Sequence, residues 1–157
     1  MSAVSRFCAA FVLLLLPASA VAGDGGDGTR VPFETIMQGS YAERRSSGEE
    51  VVRSQGEYER IWRQTQSGSS SEPDVERGAT EVDFDREMVI AVFMGQQNSG
   101  GYAVEVDEIL LEERGVTVYY RERSPGAGDA TTQALTSPYH LVRLPRLSRD
   151  IRFSRRN

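Results

Sequence analysis

The sequence predicts an α+β fold, mainly an antiparallel β meander with one packed helix. Residues 88–95 (MVIAVFMG) are apolar at both odd and even positions, which is typical of a central strand covered on both faces. Residues 102–111 and 116–123 instead alternate apolar with polar side chains, as strands with one solvated face do. Apolar residues recur at helical spacing in one stretch, residues 55–66. Since the strands follow each other with few helical patterns between them, a meander is the simplest topology.

The predicted helix begins after Ser54, which is followed three residues later by Glu57. This is the spacing of a capping box, in which the two side chains satisfy otherwise unpaired amides at the helix start. One face of the helix has the spacing i, i+3, i+4 and i+7. Its residues are Tyr58, Ile61, Trp62 and Thr65. We therefore expect this face, including Trp62, to pack against the sheet as part of the core.

The other strands are predicted before the helix and near the C-terminus. Residues 33–41 and the neighbourhood of Val51 and Val52 favour strands because they carry β-branched and aromatic residues. The segments TSPYHLVRLPR and DIRFS supply the last two strands. Polar, glycine-containing loops are predicted over residues 67–81 and 124–134. The side chains expected to be largely buried include Ile61, Trp62, Val92, Val104 and Val118.

The N-terminal residues have the pattern of a secretory signal peptide. Arg6 precedes an apolar core at residues 7–16, and small residues follow it up to Ala22. The apolar core is shorter than the roughly 20 residues that span a bilayer, so we expect no membrane anchor. We therefore expect the protein to be exported to a periplasmic or extracellular location. The expected organisation is a signal peptide at 1–22, a flexible glycine-rich linker at 23–30 and one domain at 31–157.

The composition argues against several kinds of partner and bond. The formal net charge is −5, and so acidic a chain is a poor ligand for nucleic acid. The one cysteine, Cys8, lies in the predicted signal peptide, so the domain has no disulfide. The positive charge is all arginine and crowds the C-terminus at Arg143, Arg146, Arg149, Arg152, Arg155 and Arg156. Two interpretations stay open: a solvated strand with a frayed tail, or a surface for an acidic partner.

No set of residues predicts an enzymatic reaction, a cofactor site or a metal site. The only histidine, His140, would need Ser99 or Ser137 as nucleophile, but no nucleophile-elbow pattern supports a triad. Asp83 and Asp85 would point the same way from a strand, yet calcium needs several further oxygen ligands. A structural zinc site needs more histidine or cysteine than the domain has. We therefore expect a non-enzymatic protein without cofactor or metal.

Three segments of the chain together resemble the C-terminal domain of the PrcB family. These segments are DFDREMVIAVFMG, Ser99-Gly100-Gly101-Tyr102 and Thr136-Ser137-Pro138-Tyr139. The resemblance extends from about residue 33 to residue 153 and includes the order and strand context of the motifs. PrcB proteins are bacterial exported proteins named for a subunit of a surface protease complex. The resemblance implies association with, or stabilisation of, an exported protease, and it implies no catalytic role.

The strand directions bring these motifs to one end of the predicted sheet. If residues 88–94 run up, residues 102–111 run down and residues 116–123 run up again. The loops at 95–101 and 124–134 then lie at the same end as TSPYH. This arrangement predicts a contact surface at that end of the sheet. Its expected residues are Gln97, Asn98, Ser99, Gly100, Gly101, Tyr102, Thr136, Ser137, Pro138, Tyr139 and His140.

The pair Gly100 and Gly101 has two interpretations. Glycine lets another chain approach closely, but it also suits a wide turn with a bulge. In a contact surface, Tyr102 and Tyr139 are the amphipathic anchors. The loops are also similar to those of chagasin-like inhibitors of cysteine proteases, so protease inhibition is an alternative function. Binding of a small-molecule or cell-wall ligand in the envelope is another, and the oligomeric state stays open.

Overall fold

The computed structural model describes residues 28–65 and 82–156 of the chain. The predicted signal peptide, most of the predicted linker and the predicted loop at 67–81 lie outside the described residues. Within them, the chain forms eight strands and one helix, which confirms the α+β class with antiparallel-rich sheets. In chain order the elements are β1 (Thr29–Arg30), β2 (Glu34–Gly39), β3 (Gly48–Val52), α1 (Gln55–Thr65), β4 (Glu87–Phe93), β5 (Ala103–Glu112), β6 (Gly115–Arg123), β7 (Tyr139–Pro145) and β8 (Ile151–Arg156).

The strands form two four-stranded sheets rather than a single meander. The central sheet has the order β2-β7-β4-β3, and the outer sheet has the order β1-β5-β6-β8. Neighbouring strands are antiparallel except β6 and β8, which are parallel. The predicted meander is therefore wrong in its pairing. Strands β4 and β5 follow each other in the chain but lie in different sheets, which share one core.

The apolar pattern of β4 explains why the fold needs a second sheet. Its even-numbered residues pack in a core shared with the outer sheet, including Val104 and Val118. Its odd-numbered residues from Val89 to Phe93 pack in a second core with Tyr58 and Ile61 of α1. Both faces of β4 are thus covered, as its sequence predicts. A helix covers only one face of a sheet, so the outer sheet is needed to exclude water from the other.

The helix α1 begins in the way that the capping box predicts. The backbone N–H of Glu57 donates to Ser54 Oγ at 3.4 Å, and the Glu57 carboxylate accepts from the backbone N–H of Arg53 at 2.8 Å. The described helix extends to Thr65, and the last residue of the predicted helix, Gln66, lies outside the described residues. The buried residues of its stripe are Tyr58, Ile61 and Thr65. Trp62 is only partly buried at the margin of the helix-side core, so it contributes less to the core than expected.

The last residues of the predicted linker are part of the outer sheet. Thr29 and Arg30 form β1 and pair with Leu111 and Leu110 of β5, which corrects the linker boundary at residue 30. The next residue, Val31, is buried, and its backbone N–H donates to the Ile109 carbonyl at 2.8 Å. Burial of this valine holds the preceding residues against β5, whatever their own propensity.

Side chains of the central sheet form hydrogen bonds with backbone groups of β5 that do not pair with β1. The Val104 carbonyl accepts from Gln38 Nε2 at 3.0 Å, and the Val106 backbone N–H donates to His140 Nδ1 at 2.8 Å. A buried backbone group without a partner costs about 1 to 3 kcal/mol. These two hydrogen bonds therefore stabilise the contact between the sheets.

Most of the C-terminal arginines pair with carboxylates of the same chain, and the other two donate to backbone carbonyls. The paired ones are Arg143, Arg152, Arg155 and Arg156, and the other two are Arg146 and Arg149. A bulge in β5 between Val106 and Glu108 inserts Asp107 into the strand. Arg156 of β8 crosses Tyr119, with its guanidinium carbon 3.8 Å from the ring centre, and pairs with Asp107 at 3.3 Å and Glu108 at 2.8 Å. We call the surface formed by Arg30, Asp107, Glu108, Arg121 and Arg156 the ionic face. Residues 151–156 are therefore a paired strand and not a frayed tail.

Candidate functional site

Two loops meet at one end of the central sheet, as the strand directions predict. Gln97 and Thr136 exchange backbone hydrogen bonds at 2.7 and 3.1 Å, and Ser137 pairs in parallel with Tyr41 on its other side. The role of these residues as a contact surface stays a prediction. We call this region the loop end and define it by residues 40–45, 95–102 and 131–138.

The predicted contact residues 136–140 are buried, so Tyr139 is not an exposed anchor of a contact surface. Tyr139 is 7 % exposed and His140 is 2 % exposed. The cause is the position of β7, which lies between β2 and β4 inside the central sheet. The Tyr139 ring lies against Gly39, where an added Cβ would be 2.7 Å from the tyrosine oxygen. The centre of the Tyr139 ring is 6.3 Å from the centre of the Phe93 ring. Tyr139 therefore supports the loop end from inside.

Gly100 and Gly101 are required because the chain packs on itself. The Gly100 N–H donates to the Thr132 carbonyl at 3.0 Å, and a Cβ at Gly100 would lie 2.5 Å from Thr132 Oγ1. Gly101 has a φ of +87°, and a Cβ there would lie 3.0 Å from Pro125 Cβ. These contacts favour the turn interpretation over close approach by a partner. Gly101→Val is therefore expected to strain the fold. Of the loop's other predicted residues, Asn98 is exposed, and the partly buried ones are Gln97, Ser99 and Tyr102.

The buried His140 joins the two sheets, and none of the described serines forms a hydrogen bond with its ring. Its Nε2 lies 2.9 Å from Thr35 Oγ1, and its Nδ1 accepts from the Val106 N–H at 2.8 Å. A neutral ring with the proton on Nε2 satisfies both contacts. Burial lowers the pKa of His140, which favours this neutral form. The hydroxyls of Ser99 and Ser137 donate to backbone carbonyls, so the structure does not assemble the triad considered from the sequence.

Asp83 and Asp85 lie at a turn before β4 and not in a strand. Asp83 Oδ1 accepts from the backbone N–H of Asp85 at 3.1 Å, and the Asp83 carboxylate lies 3.8 Å from Arg86. The Asp83 carboxylate therefore acts within the turn. Across residues 28–65 and 82–156, no group of three or more His, Cys, Asp or Glu side chains is placed to hold a metal ion.

A groove at the loop end carries exposed apolar side chains that the sequence analysis missed. Tyr41 is 50 % exposed and Leu135 is 60 % exposed, and no other large apolar residue of the described chain is as open to solvent. Both line a cleft of about 530 Å³, which we call the loop-end groove. Its other lining residues are Ala42, Glu43, Arg45, Gln96, Thr136 and Ser137. Leu135 follows a polar loop, which is an indication of exposure in the sequence, whereas no pattern in the sequence indicated that Tyr41 is exposed.

One wall of the loop-end groove, at residues 43–45, is held by ionic contacts on the helix side. Arg44 pairs with Glu50, and the same carboxylate accepts from Arg60 of α1 at 2.6 Å. The Arg44 guanidinium also lies 4.8 Å from the centre of the Phe93 ring. Burial raises the pKa of Glu50, but hydrogen bonds from Arg60 and Arg44 outweigh it, so the pKa is lowered. The wall is therefore attached to both α1 and the central sheet.

The two charged side chains of the groove have no ionic partner among the described residues. Glu43 and Arg45 are exposed. Neither side chain forms an ion pair or a hydrogen bond with any residue in 28–65 or 82–156. Their charges are therefore available to a molecule that enters the groove.

Two sheets that share a core, with one helix packed on the central sheet, define a mainly antiparallel α+β domain. None of its described helical residues forms a segment long and apolar enough to cross a membrane. The family model described as PrcB C-terminal matches residues 88–145, from β4 to β7. This match confirms the PrcB resemblance inferred from the motifs in that part of the chain. Comparisons with curated proteins and with solved structures each found no match.

Proposed function

We propose that this protein is an exported, non-enzymatic binding module that associates with a protease and stabilises it through the loop end. The match of residues 88–145 to the PrcB C-terminal family supports a role in a protease complex. The observation that carries the proposal is that Tyr41 and Leu135, both exposed, line one groove at this end. Protein interfaces draw most of their affinity from a few side chains that lose water on binding.

The attachment of the groove to the rest of the fold also supports the proposal. Ser137 pairs with Tyr41 through the backbone, and the Ser137 hydroxyl donates to the Arg44 carbonyl. A preformed surface loses little conformational entropy when a partner binds. A stabilising partner needs such a surface and no reacting group, and both ring nitrogens of His140 are already engaged inside the fold.

Export is tested on protein isolated from its natural source. Mass spectrometry of the N-terminus is expected to find a chain that starts near residue 23, because residues 1–22 have the signal-peptide pattern. A purified chain that retains Met1 would contradict export by this route.

Association is tested by capture from the exported proteins of the same source. The immobilised protein is expected to retain a protease, recognised by its proteolytic activity and identified by mass spectrometry. Addition of the module is then expected to lengthen the protease's half-life on heating without changing its initial rate. A reduced initial rate would instead support the inhibitor. Retention of a small molecule or a cell-wall fragment, without a protease, would contradict the proposal.

Matched variants show whether capture uses the loop end. Leu135→Ser is expected to lose the protease, because it removes an exposed apolar side chain from the groove. Arg114→Ser is the control, since Arg114 is exposed in the turn between β5 and β6 at the opposite end of the sheets. Equal retention by both variants would remove the loop end from the proposal.

A further inference from the structure

The loop-end groove differs from two other clefts because its charged residues form no ion pairs with the described residues. In both other clefts, the charged lining residues pair within the chain. The first, of about 540 Å³, has Arg30, Asp107, Glu108 and Arg156. The second, of about 330 Å³, has Glu34, Arg86, Glu87 and Arg143. In the loop-end groove, Glu43 and Arg45 pair with no described residue, so this cleft alone of the three offers free charges of both signs.

The same groove offers apolar surface to a ligand. Tyr41 and Leu135 are both at least half exposed, although water is excluded from most large apolar side chains of the described chain. Apolar area that is removed from water on binding favours the complex. An occupant that matches the groove therefore combines an apolar group with one positive and one negative charge.

We propose that the groove binds an extended segment of a protein partner in which one apolar residue is flanked by a basic and an acidic residue. The apolar side chain lies against Tyr41 and Leu135. The basic group pairs with Glu43 and the acidic group pairs with Arg45. This inference rests on the proposed function for the identity of the partner, and it adds the chemistry of the partner's contact segment.

The order of the groove charges along the chain fits a short peptide segment, since Glu43 and Arg45 line the groove on either side of Arg44. Glu43 and Arg45 are separated by one residue in the chain. The two residues that flank a central residue in an extended segment have the same separation in sequence, roughly 6 to 7 Å along the strand. The apolar contact supplies most of the affinity, and the exposed ion pairs select the segment and its direction.

The inference is tested with three acetylated and amidated heptapeptides of flanking Gly and Ser residues. Their central tripeptides are Lys-Leu-Asp, Gln-Leu-Asn and Lys-Ala-Asp. Each is titrated into the isotope-labelled protein while its amide NMR signals are recorded. The Lys-Leu-Asp peptide is expected to shift signals of residues 41–45, 96 and 135–137. Neutralising both charges is expected to weaken binding roughly 2- to 10-fold, and replacing Leu by Ala about 10-fold or more.

Groove variants assign each contact. Leu135→Ala is expected to weaken all three peptides, because it removes part of the apolar surface. Arg45→Gln is expected to reduce the preference for the charged Lys-Leu-Asp peptide over its neutral counterpart. Arg114→Gln, at the opposite end of the sheets, is the control and is expected to change neither property. These three side chains are exposed, so the variants are expected to melt as the natural protein does.

The outcomes separate this inference from the proposed function. Equal affinity for the three peptides, or signal shifts confined to other residues, would overturn the inference even if a protease is captured. Signal shifts that depend on protein concentration without peptide would assign the groove to a second copy of the chain and would also overturn it. Peptide binding at the groove without capture of any protease would instead contradict the proposed function and support the groove chemistry.

Discussion

The ionic face and the loop-end groove are both charged surfaces, but only the ionic face is complete within the chain. At the ionic face, Asp107 and Glu108 each pair with two arginines, and Arg156 bridges them. At the groove, the unpaired or exposed side chains are Tyr41, Glu43, Arg45 and Leu135. Both surfaces carry arginine and acidic side chains, so the difference in ion pairing lies in whether an oppositely charged side chain of the described residues is within reach. A surface paired with itself contributes to stability, whereas a surface without partners is free to contribute to binding.

The largest expected effect separates the exposed rim of the groove from its buried support. Tyr139→Ala is expected to lower the free energy of unfolding by about 3 to 5 kcal/mol, because it empties a buried aromatic site beside Phe93. Tyr41→Ala is expected to lower it by less than about 0.5 kcal/mol, because Tyr41 is exposed. Urea denaturation of both variants measures the difference. Similar losses in both variants would mean that Tyr41, like Tyr139, is a structural residue.

The second effect concerns acid. The folded-state pKa of His140 is lowered by burial below the ordinary value of 6.5, so below that pH the unfolded chain binds more protons than the folded one. Stability is therefore expected to fall as the pH decreases from 6.5 towards the folded pKa, with a slope of at most about 1.4 kcal/mol per pH unit for one proton.

The measurement is the free energy of unfolding between pH 7.5 and about 5, above the range in which most carboxylates titrate. His140→Gln is expected to be less stable at neutral pH, because its contacts with Thr35 and Val106 are disturbed, and to lose most of the slope. The same slope in both proteins would assign the acid response to other groups.

A smaller loss is expected at the ionic face. Arg156→Ala removes two ion pairs and the contact with the Tyr119 ring, and it is expected to cost about 1 kcal/mol because the side chain is partly exposed. The cost should shrink at high salt, since screening weakens the ion pairs. Thermal melting at low and high salt measures it, with Arg114→Ala as the control. A cost that is independent of salt would show that the ring contact alone contributes.

The smallest effect on stability is expected at the groove. Arg45→Ala should change the free energy of unfolding by no more than about 0.5 kcal/mol, because its guanidinium has no partner among the described residues. The same variant is expected to weaken capture of the protease. Urea denaturation and the capture experiment measure the two properties. A loss of stability as large as that of Arg156→Ala would make the groove a structural surface like the ionic face.

The elements of the fold were largely predictable because they depend on neighbours in sequence. The helix at Gln55–Thr65 follows from a cap and an apolar stripe that lie within a few turns of each other. The uniformly apolar pattern of β4 predicted its burial in the same way, and the alternation predicted the exposure of the first half of β5. The alternation did not predict β6, which is buried at both odd and even positions from Gly115 to Val118. The meeting of the two loops was also predictable, because it requires only that successive strands reverse direction.

The pairing of the strands and the composition of the groove depend on contacts between residues far apart in the chain. Periodicity shows which side chains avoid water, but it does not show which distant strand covers them. Tyr139 has the amphipathic character of a surface anchor, yet it is buried because β2 and β4 flank β7. Tyr41 and Leu135 have the character of core residues, yet they are exposed, because Tyr41 follows the end of β2 at Gly39 and Leu135 precedes the start of β7 at Tyr139.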